Sequence, residues 1–479
     1  MNKRLSLAGR VLAGALALAG LGYMGLLARG KMELGGASPD EQTLGRVADL
    51  NQRAMQQYCT GVVATPMGTW LVGRREGSIE GEASEFARHA PDLAASLQAP
   101  APVLSRDKEF SFISRLGANG SFELVATVPD TACLRATPDG RSVFVLTGID
   151  RPGGANGERA QTAIFRSDDQ GRSWQVLKAG LFPQANWIAW SLAPYFYDSR
   201  SVWAWREHDE EPDEGTPAGA KPVASGLQHS ADGGATVEDI AASGPLLVSR
   251  DEILKLTAPN ANWGDSQGRH GDVRRHVVQL DANRAVLWVS QVFSYAVGEG
   301  IYLDHHVRVT SRAELRREGE RWRMGNVQRE HGVALEQVLD NRAGQVVAVL
   351  RDADGESPKI ALLDKATLGW KLQGRLPSAF GPLGTSGLRG VYISHGALVA
   401  NVMSRHEVPR WLYPWGRDAA SVSADAVFYS TDWGRSWSKL AIEGYLGLLG
   451  IDVEKDRVYW ARGNWYSSRD PAVLAYGLR

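Results

Sequence analysis

One pattern repeats along the sequence from residue 58 onward: a strand-like run, a tight turn, a second strand-like run, then another such pair. Residues 61–65 and 69–74 flank Pro66, Met67 and Gly68, and residues 133–136 and 142–148 flank Pro138, Asp139 and Gly140. Residues 333–338 and 345–351 flank Asn341 and Gly344, and residues 391–393 and 397–403 flank His395 and Gly396. Gly, Pro, Asn and Asp at such places mark turns between short strands. Second hairpins follow at 163–177, 225–240, 359–374 and 426–440. Two hairpins make a four-stranded antiparallel sheet, and recurrence at intervals of about 50–70 residues is the sequence sign of propeller blades. The pattern predicts an all-β chain, a β-propeller of about seven four-stranded blades, with six and eight as the neighbouring counts. The units fall near 58–128, 130–178, 185–240, 245–325, 330–377, 385–441 and 445–479. The last unit is one strand short, so a strand from the N-terminal side is expected to complete it. No helical repeat alternates with the strands, which disfavours a parallel βαβ sheet.

Residues 1–31 are of another kind. Lys3, Arg4 and Arg10 precede an uncharged run from Val11 to Ala28, closed by Arg29 and Lys31. The length suits a transmembrane helix or the core of a signal peptide. The run lacks a small-residue cleavage site at its end, which favours a retained signal anchor, and the basic N-terminal flank places the rest of the chain in the periplasm. Residues 32–57 are polar, with Leu44, Val47, Leu50 and Met55 at helical spacing, and read as a stalk or lead-in helix. Phe86, Ala90, Leu93 and Leu97 suggest a small helical insertion near 77–104 in a propeller spanning 58–479. Residues 206–222 form an acidic loop, and 259–275 and 404–424 are further long loops. The two cysteines, Cys59 and Cys133, are either a disulfide between neighbouring units or two buried thiols. With 53 Lys and Arg against 54 Asp and Glu, the net charge is −1. Such a balance speaks against a nucleic-acid partner.

Three turns share a motif. Ser167, Asp169, Gly171 and Trp174 fit S-x-D-x-G-x-x-W, as do Ser430, Asp432, Gly434 and Trp437. Ser230, Asp232 and Gly234 repeat it with Val237 in the Trp position. The pattern resembles the Asp-box, or BNR repeat, of the sialidase-like propeller superfamily. An Asp carboxylate can accept backbone N–H groups of its own turn, and Gly supplies the left-handed position. The Trp is expected to cover the hairpin and pack toward the next blade. The resemblance implies structural roles for these residues, on the face away from the ligand site, and no metal.

The sialidase resemblance implies an arginine triad, an early Arg-Ile-Pro motif and an acidic catalytic set. The Arg-Ile-Pro motif is absent, and spacing alone assembles no triad from Arg135, Arg206, Arg275, Arg308, Arg351 and Arg405. Asp304, His305 and His306 alternate like a strand, which puts the imidazoles on opposite faces. His270 and His276 flank Asp272, again without a metal-ligand spacing. No catalytic residue, cofactor or metal is assigned. One loop carries residue types of binding hot spots: Arg410, Trp411, Tyr413 and Trp415, stiffened by Pro409 and Pro414. Three functions stay open: a non-catalytic, membrane-anchored periplasmic protein that binds a protein or glycan through loops on one face; a sialidase-like exo-glycosidase with an atypical site; and an immunity protein that neutralises a secreted antibacterial effector.

Overall fold

The structure is a computed structural model. It describes residues 2–478 except 32–41, 46–61, 66–67, 77–108, 119–121, 130–131, 138–139, 150–160, 178–194, 207–225, 235, 258–260, 263–271, 298–304, 341–343, 353–356, 395, 410–420, 441–447, 453–456 and 463–471. Helix α1 (Asn2–Lys31) comes first, then strand β1 (Gln42–Gly45). The first sheet holds β2 (Val62–Thr65), β3 (Gly68–Glu76), β4 (Glu109–Leu116) and β5 (Phe122–Pro129). The second holds β6 (Ala132–Ala136), β7 (Val143–Ile149), β8 (Gln161–Ser167) and β9 (Gln175–Leu177). The third holds β10 (Tyr195–Phe196), β11 (Val202–Arg206), β12 (Gly226–Ser230) and β13 (Glu238–Ile240), and is followed by helix α2 (Arg250–Leu256).

The fourth sheet has six strands: β14 (Ala261–Asn262), β15 (Asp272–Asp281), β16 (Arg284–Val297), β17 (His305–Glu318), β18 (Arg321–Met324) and β19 (Gln328–His331). The fifth holds β20 (Val333–Asp340), β21 (Val346–Asp352), β22 (Lys359–Asp364) and β23 (Gly369–Arg375). The sixth holds β24 (Thr385–Ile393), β25 (Leu398–Glu407), β26 (Ser421–Ser430) and β27 (Ser438–Lys439). In the seventh, β28 (Leu448–Asp452), β29 (Arg457–Arg462) and β30 (Ala472–Gly477) are joined by β1, which pairs antiparallel with β30.

The all-β propeller expected from the repeats is what forms, and its core lies in the seams between sheets. Trp70 of β3 meets Trp174 edge to face at 6.3 Å, and Phe144 of β7 stacks on Phe196 of β10 at 3.9 Å. Trp203, Trp205 and Leu227 pack against Val277, Leu287 and Trp322 of the fourth sheet. Val286 and Trp288 meet Leu335 and Ala348, Val347 and Ile360 meet Val391 and Leu398, and Val399 meets Val458. Strand β2 in turn lies against β28, so the last sheet also meets the first. Period-two alternation with both faces apolar is the pattern such stacking requires.

The three turn motifs share one hydrogen-bond pattern. Ser167, Ser230 and Ser430 each donate to the carboxylate two residues on, at 2.8–2.9 Å, and accept the amide of Gly171, Gly234 or Gly434. Each carboxylate also accepts the amide and hydroxyl of Ser173, Thr236 or Ser436. The two turn positions before these bonds are left-handed, with φ 67° and 79° at Gln170 and Gly171 and 63° and 91° at Trp433 and Gly434. The packing direction differs from expectation. Trp174 leans on Trp70 of the preceding sheet, and Gly434 abuts Ile360 of the preceding sheet. A turn that links the third strand to the fourth sits at the sheet's outer end, over the neighbour already laid down.

Three further expectations change. Residues 42–45, placed in a lead-in helix, form β1 instead, because the open edge of β30 offers backbone bonds that a weakly helical polar segment lacks. The long loop expected at 259–275 contains β14 and the first residues of β15. Among the described residues no helix is long and apolar enough to cross a membrane, so the transmembrane helix is not met. Half of residues 11–28 are Ala or Gly, which add little transfer energy. Helix α1 lies along β26, and the Tyr23 hydroxyl bonds His406 Nε2 at 2.5 Å. The insertion at 77–104 lies outside the described residues.

Two outcomes follow for stability. The Ser436 hydroxyl and amide and the Ser430 hydroxyl hold the Asp432 carboxyl at about 2, below the ordinary value of about 3.9. Its contribution is therefore complete above about pH 4 and lost as pH falls through about 2. Asp432→Ala is expected to lower the melting temperature at pH 7 and to lose most of that difference as pH falls to 2. In Gly171→Val the added Cβ would sit 2.6 Å from the Trp70 ring at a φ of +79°. Thermal unfolding should show a loss of roughly 2–4 kcal/mol.

Candidate functional site

The seam between the fourth and fifth sheets is not apolar throughout. Strands β15, β16 and β17 present alternate residues to the fifth sheet: Asp272, Arg274 and His276; Trp288, Ser290 and Val292; His306, Arg308 and Thr310. Strand β20 crosses this surface. The Leu335 amide donates to Ser290 Oγ at 2.9 Å, the Ser290 hydroxyl donates to Thr310 Oγ1 at 2.8 Å, and Thr310 donates to the Val333 carbonyl at 2.8 Å. These bonds stitch the two sheets together. Above them opens a cavity of about 450 Å³, lined by Asp272, Arg274, Ser290, Val292, His306, Arg308, Ala334, Leu335, Glu336 and Arg351.

The cavity brings together three guanidinium groups and two carboxylates. Arg351 Nε donates to Glu336 at 2.5 Å. Arg274 reaches Asp272 at 3.2 Å and the Glu336 carbonyl at 3.4 Å. Arg308 differs from both. It is 4% exposed, and its Nε has no hydrogen-bond partner among the described residues. Burial pulls the Arg308 pKa below its ordinary value, Arg351 adds to this, and Glu336 opposes it. An arginine keeps its proton in a protein, so the site holds a charged, largely buried guanidinium whose Nε lacks an acceptor among the described residues. Arg274 Nε, His276 Nε2 and Trp288 Nε1 on the same sheet surface are also unpartnered among the described residues. Buried polar atoms are nearly always paired, so an unpartnered Arg308 Nε at the wall of a cavity points to a ligand.

The cavity is built from the starts of β15, β17 and β20 and the ends of β16 and β21. In up-and-down sheets these share one face of the propeller. The three turn motifs, which follow third strands, lie on the opposite face. The end of β25 and the start of β26 lie on the same face as the cavity. Between them, Arg410, Trp411, Tyr413 and Trp415 lie outside the described residues, as do Cys59 and the side chain of Cys133.

Of the arginines singled out by sequence, Arg308 and Arg351 meet here. Arg275 points the other way and covers the Trp205 ring at 4.7 Å, and Arg405 lies 3.9 Å from Glu407. Sequence reading missed Arg274 and Glu336. Strand alternation from Asp272 would have found Arg274, and the crossing of β20 over the fourth sheet would not have been found. The two imidazoles do take opposite faces: His306 lines the cavity and bonds Ser294 at 2.8 Å, while His305 stacks on Tyr295. Among the described residues no group of side chains could hold a metal ion.

A second cluster has the outline of a nucleophilic triad. His229 Nε2 lies 2.9 Å from Ser201 Oγ, and its Nδ1 lies 3.2 Å from Glu238. The protons run the wrong way for catalysis. Gln279 Nε2 donates to the Asp281 carbonyl, so its Oε1 accepts from Trp203 Nε1 and from the Ser201 hydroxyl at 2.7 Å. A hydroxyl that donates to an amide oxygen does not donate to the imidazole. Burial, with Arg317 next, pulls His229 to about 4, so the ring is neutral at pH 7. The cluster ties the third sheet to the fourth. A fluorophosphonate probe is expected to leave Ser201 unmodified in mass spectra of the full chain; labelling at Ser201 would show a nucleophile instead.

No family model and no curated protein matches the chain. Among solved structures it is similar to a puromycin hydrolase, at 13% identity over 88% of this chain and 52% of the other, with a TM-score of 0.40. The chain thus spans about half the length of that enzyme. It is also similar to the β-propeller domain of the Trilobed protease from Pyrococcus furiosus, at 9% identity over 88% and 96%, with a TM-score of 0.42. An α-L-arabinanase from Penicillium chrysogenum complexed with arabinobiose matches at 11% identity over 92% and 99%, with a TM-score of 0.36. Overlaps this loose give no correspondence between site residues.

Proposed function

We propose that this chain is an exported, non-catalytic binding protein whose β-propeller takes an anionic group of its partner in the cavity between the fourth and fifth sheets. The observation that carries the reading is Arg308, buried and without a partner at its Nε. A buried guanidinium N–H left without an acceptor is costly, and a bound anion would offset that cost. Binding is favoured over glycoside cleavage because both carboxylates of the cavity already hold arginines. Glycoside cleavage needs one carboxyl free to give a proton to the leaving group. The same reading takes the seven sheets as seven blades and the three turns as Asp-boxes of the sialidase-like superfamily, supported by their shared bonding. It takes α1 as an export signal that keeps the protein at the inner membrane; a basic flank before a short apolar stretch suffices for export.

The test uses the full chain in detergent. Replacing chloride by acetate at constant ionic strength is expected to raise the melting temperature saturably. Arg308→Met should abolish that rise. It should leave the ligand-free protein at least as stable as wild type, since an apolar residue replaces a buried guanidinium whose Nε has no acceptor among the described residues. A variant that melts earlier than wild type, with the acetate effect unchanged, would make Arg308 structural and end this reading.

A further inference from the structure

The cavity's charge and lining specify more than an anion. Three guanidinium groups face two carboxylates, so a singly charged anion brings the cluster to neutrality. A dianion such as a phosphate ester would overshoot and face Asp272 and Glu336. The polar groups near the anion position are already committed. Ser290 donates to Thr310 and accepts from Leu335, Glu336 holds Arg351, and Asp272 holds Arg274. A hydroxyl-rich ring would find few free partners, and among the described residues the lining holds no Trp, Tyr or Phe on which a sugar face could rest. The remaining walls are His306, which bonds Ser294, and Val292, Ala334 and Leu335, which suit a small apolar side chain. The volume of about 450 Å³ accommodates one or two residues of an extended peptide.

We propose that the cavity captures the C-terminal carboxylate of a protein partner whose last residue is small and apolar. Arg308 meets the carboxylate, with the terminal nitrogens of Arg351 beside it, and Val292, Ala334 and Leu335 enclose the last side chain. Terminal-carboxylate capture is a recurrent mode of peptide recognition, and here it rests on the reading of this cavity as the binding site.

The experiment is calorimetry on the full chain with three probes: the peptide acetyl-Gly-Gly-Ala-Val with a free carboxylate, the same peptide as its C-terminal amide, and glucuronate. The free acid is expected to bind at least tenfold more tightly than the amide and than glucuronate. Arg308→Met should bring acid and amide to equal affinity while the fold, read by circular dichroism, is kept. Equal binding of acid and amide to the wild type overturns the proposal. Tighter binding of glucuronate overturns it in favour of an acidic glycan and leaves the site itself standing. Absence of binding by all three, together with no acetate effect on melting, overturns the site and this proposal with it.

Discussion

The described strands of successive sheets turn apolar side chains toward one another, and these cannot be left in water. Packing of consecutive sheets is the interaction on which the rest depends. A pair such as Phe144 on Phe196 or Trp203 on Trp322 belongs to no single sheet, so each sheet is stable only beside its neighbours. Closure of the last sheet by β1 follows from the same need, since a three-stranded sheet would leave the edge of β30 unpaired. The three Ser–Asp–Gly turns serve the seams too. Their left-handed glycines let backbone approach Trp70 and Ile360 of the preceding sheet within a distance that a side chain would block.

Against that background the upper part of the fourth seam is the exception. Its lower part follows the rule, with Val286 and Trp288 against Leu335 and Ala348. Its upper part replaces aliphatic residues by Arg274, Arg308 and Arg351 with two carboxylates. Local rules of packing are broken where function takes precedence, and the break here is electrostatic. The buried Ser201–His229–Glu238 cluster is a useful contrast. Its polar atoms are largely matched within the protein, which suits a strut between sheets. On the surface facing β20, Arg308 Nε at the cavity wall has no partner among the described residues, which suits a place awaiting a ligand.

Much of the fold was legible in the sequence because strand alternation and turn residues are local. The turns at Ser167, Ser230 and Ser430 could be read as self-bonded turns from residue spacing alone. The direction in which Trp174 packs could not, because it depends on the order in which sheets stack. The strand at 42–45 was hidden behind a weak helical spacing, since its partner β30 lies more than 400 residues away. The site was legible only in fragments. Arg308 and Arg351 stood out as charges in strand-like runs, but their meeting depends on β20 crossing the face of the fourth sheet. Glu336 gave no sign, because nothing in its own strand tells which face of the neighbouring sheet it meets.

The most direct measurement is the nuclear magnetic resonance signal of the Arg308 Nε–H group in the full chain, assigned by its loss in Arg308→Met. Among the described residues this group has no acceptor. Titration with a carboxylate is expected to shift the signal saturably and to slow its exchange with water, with the other arginine Nε signals outside the cavity unchanged. An Arg308 signal that is already slow to exchange and does not move with added anion would show that the guanidinium is satisfied from within, and would contradict the account.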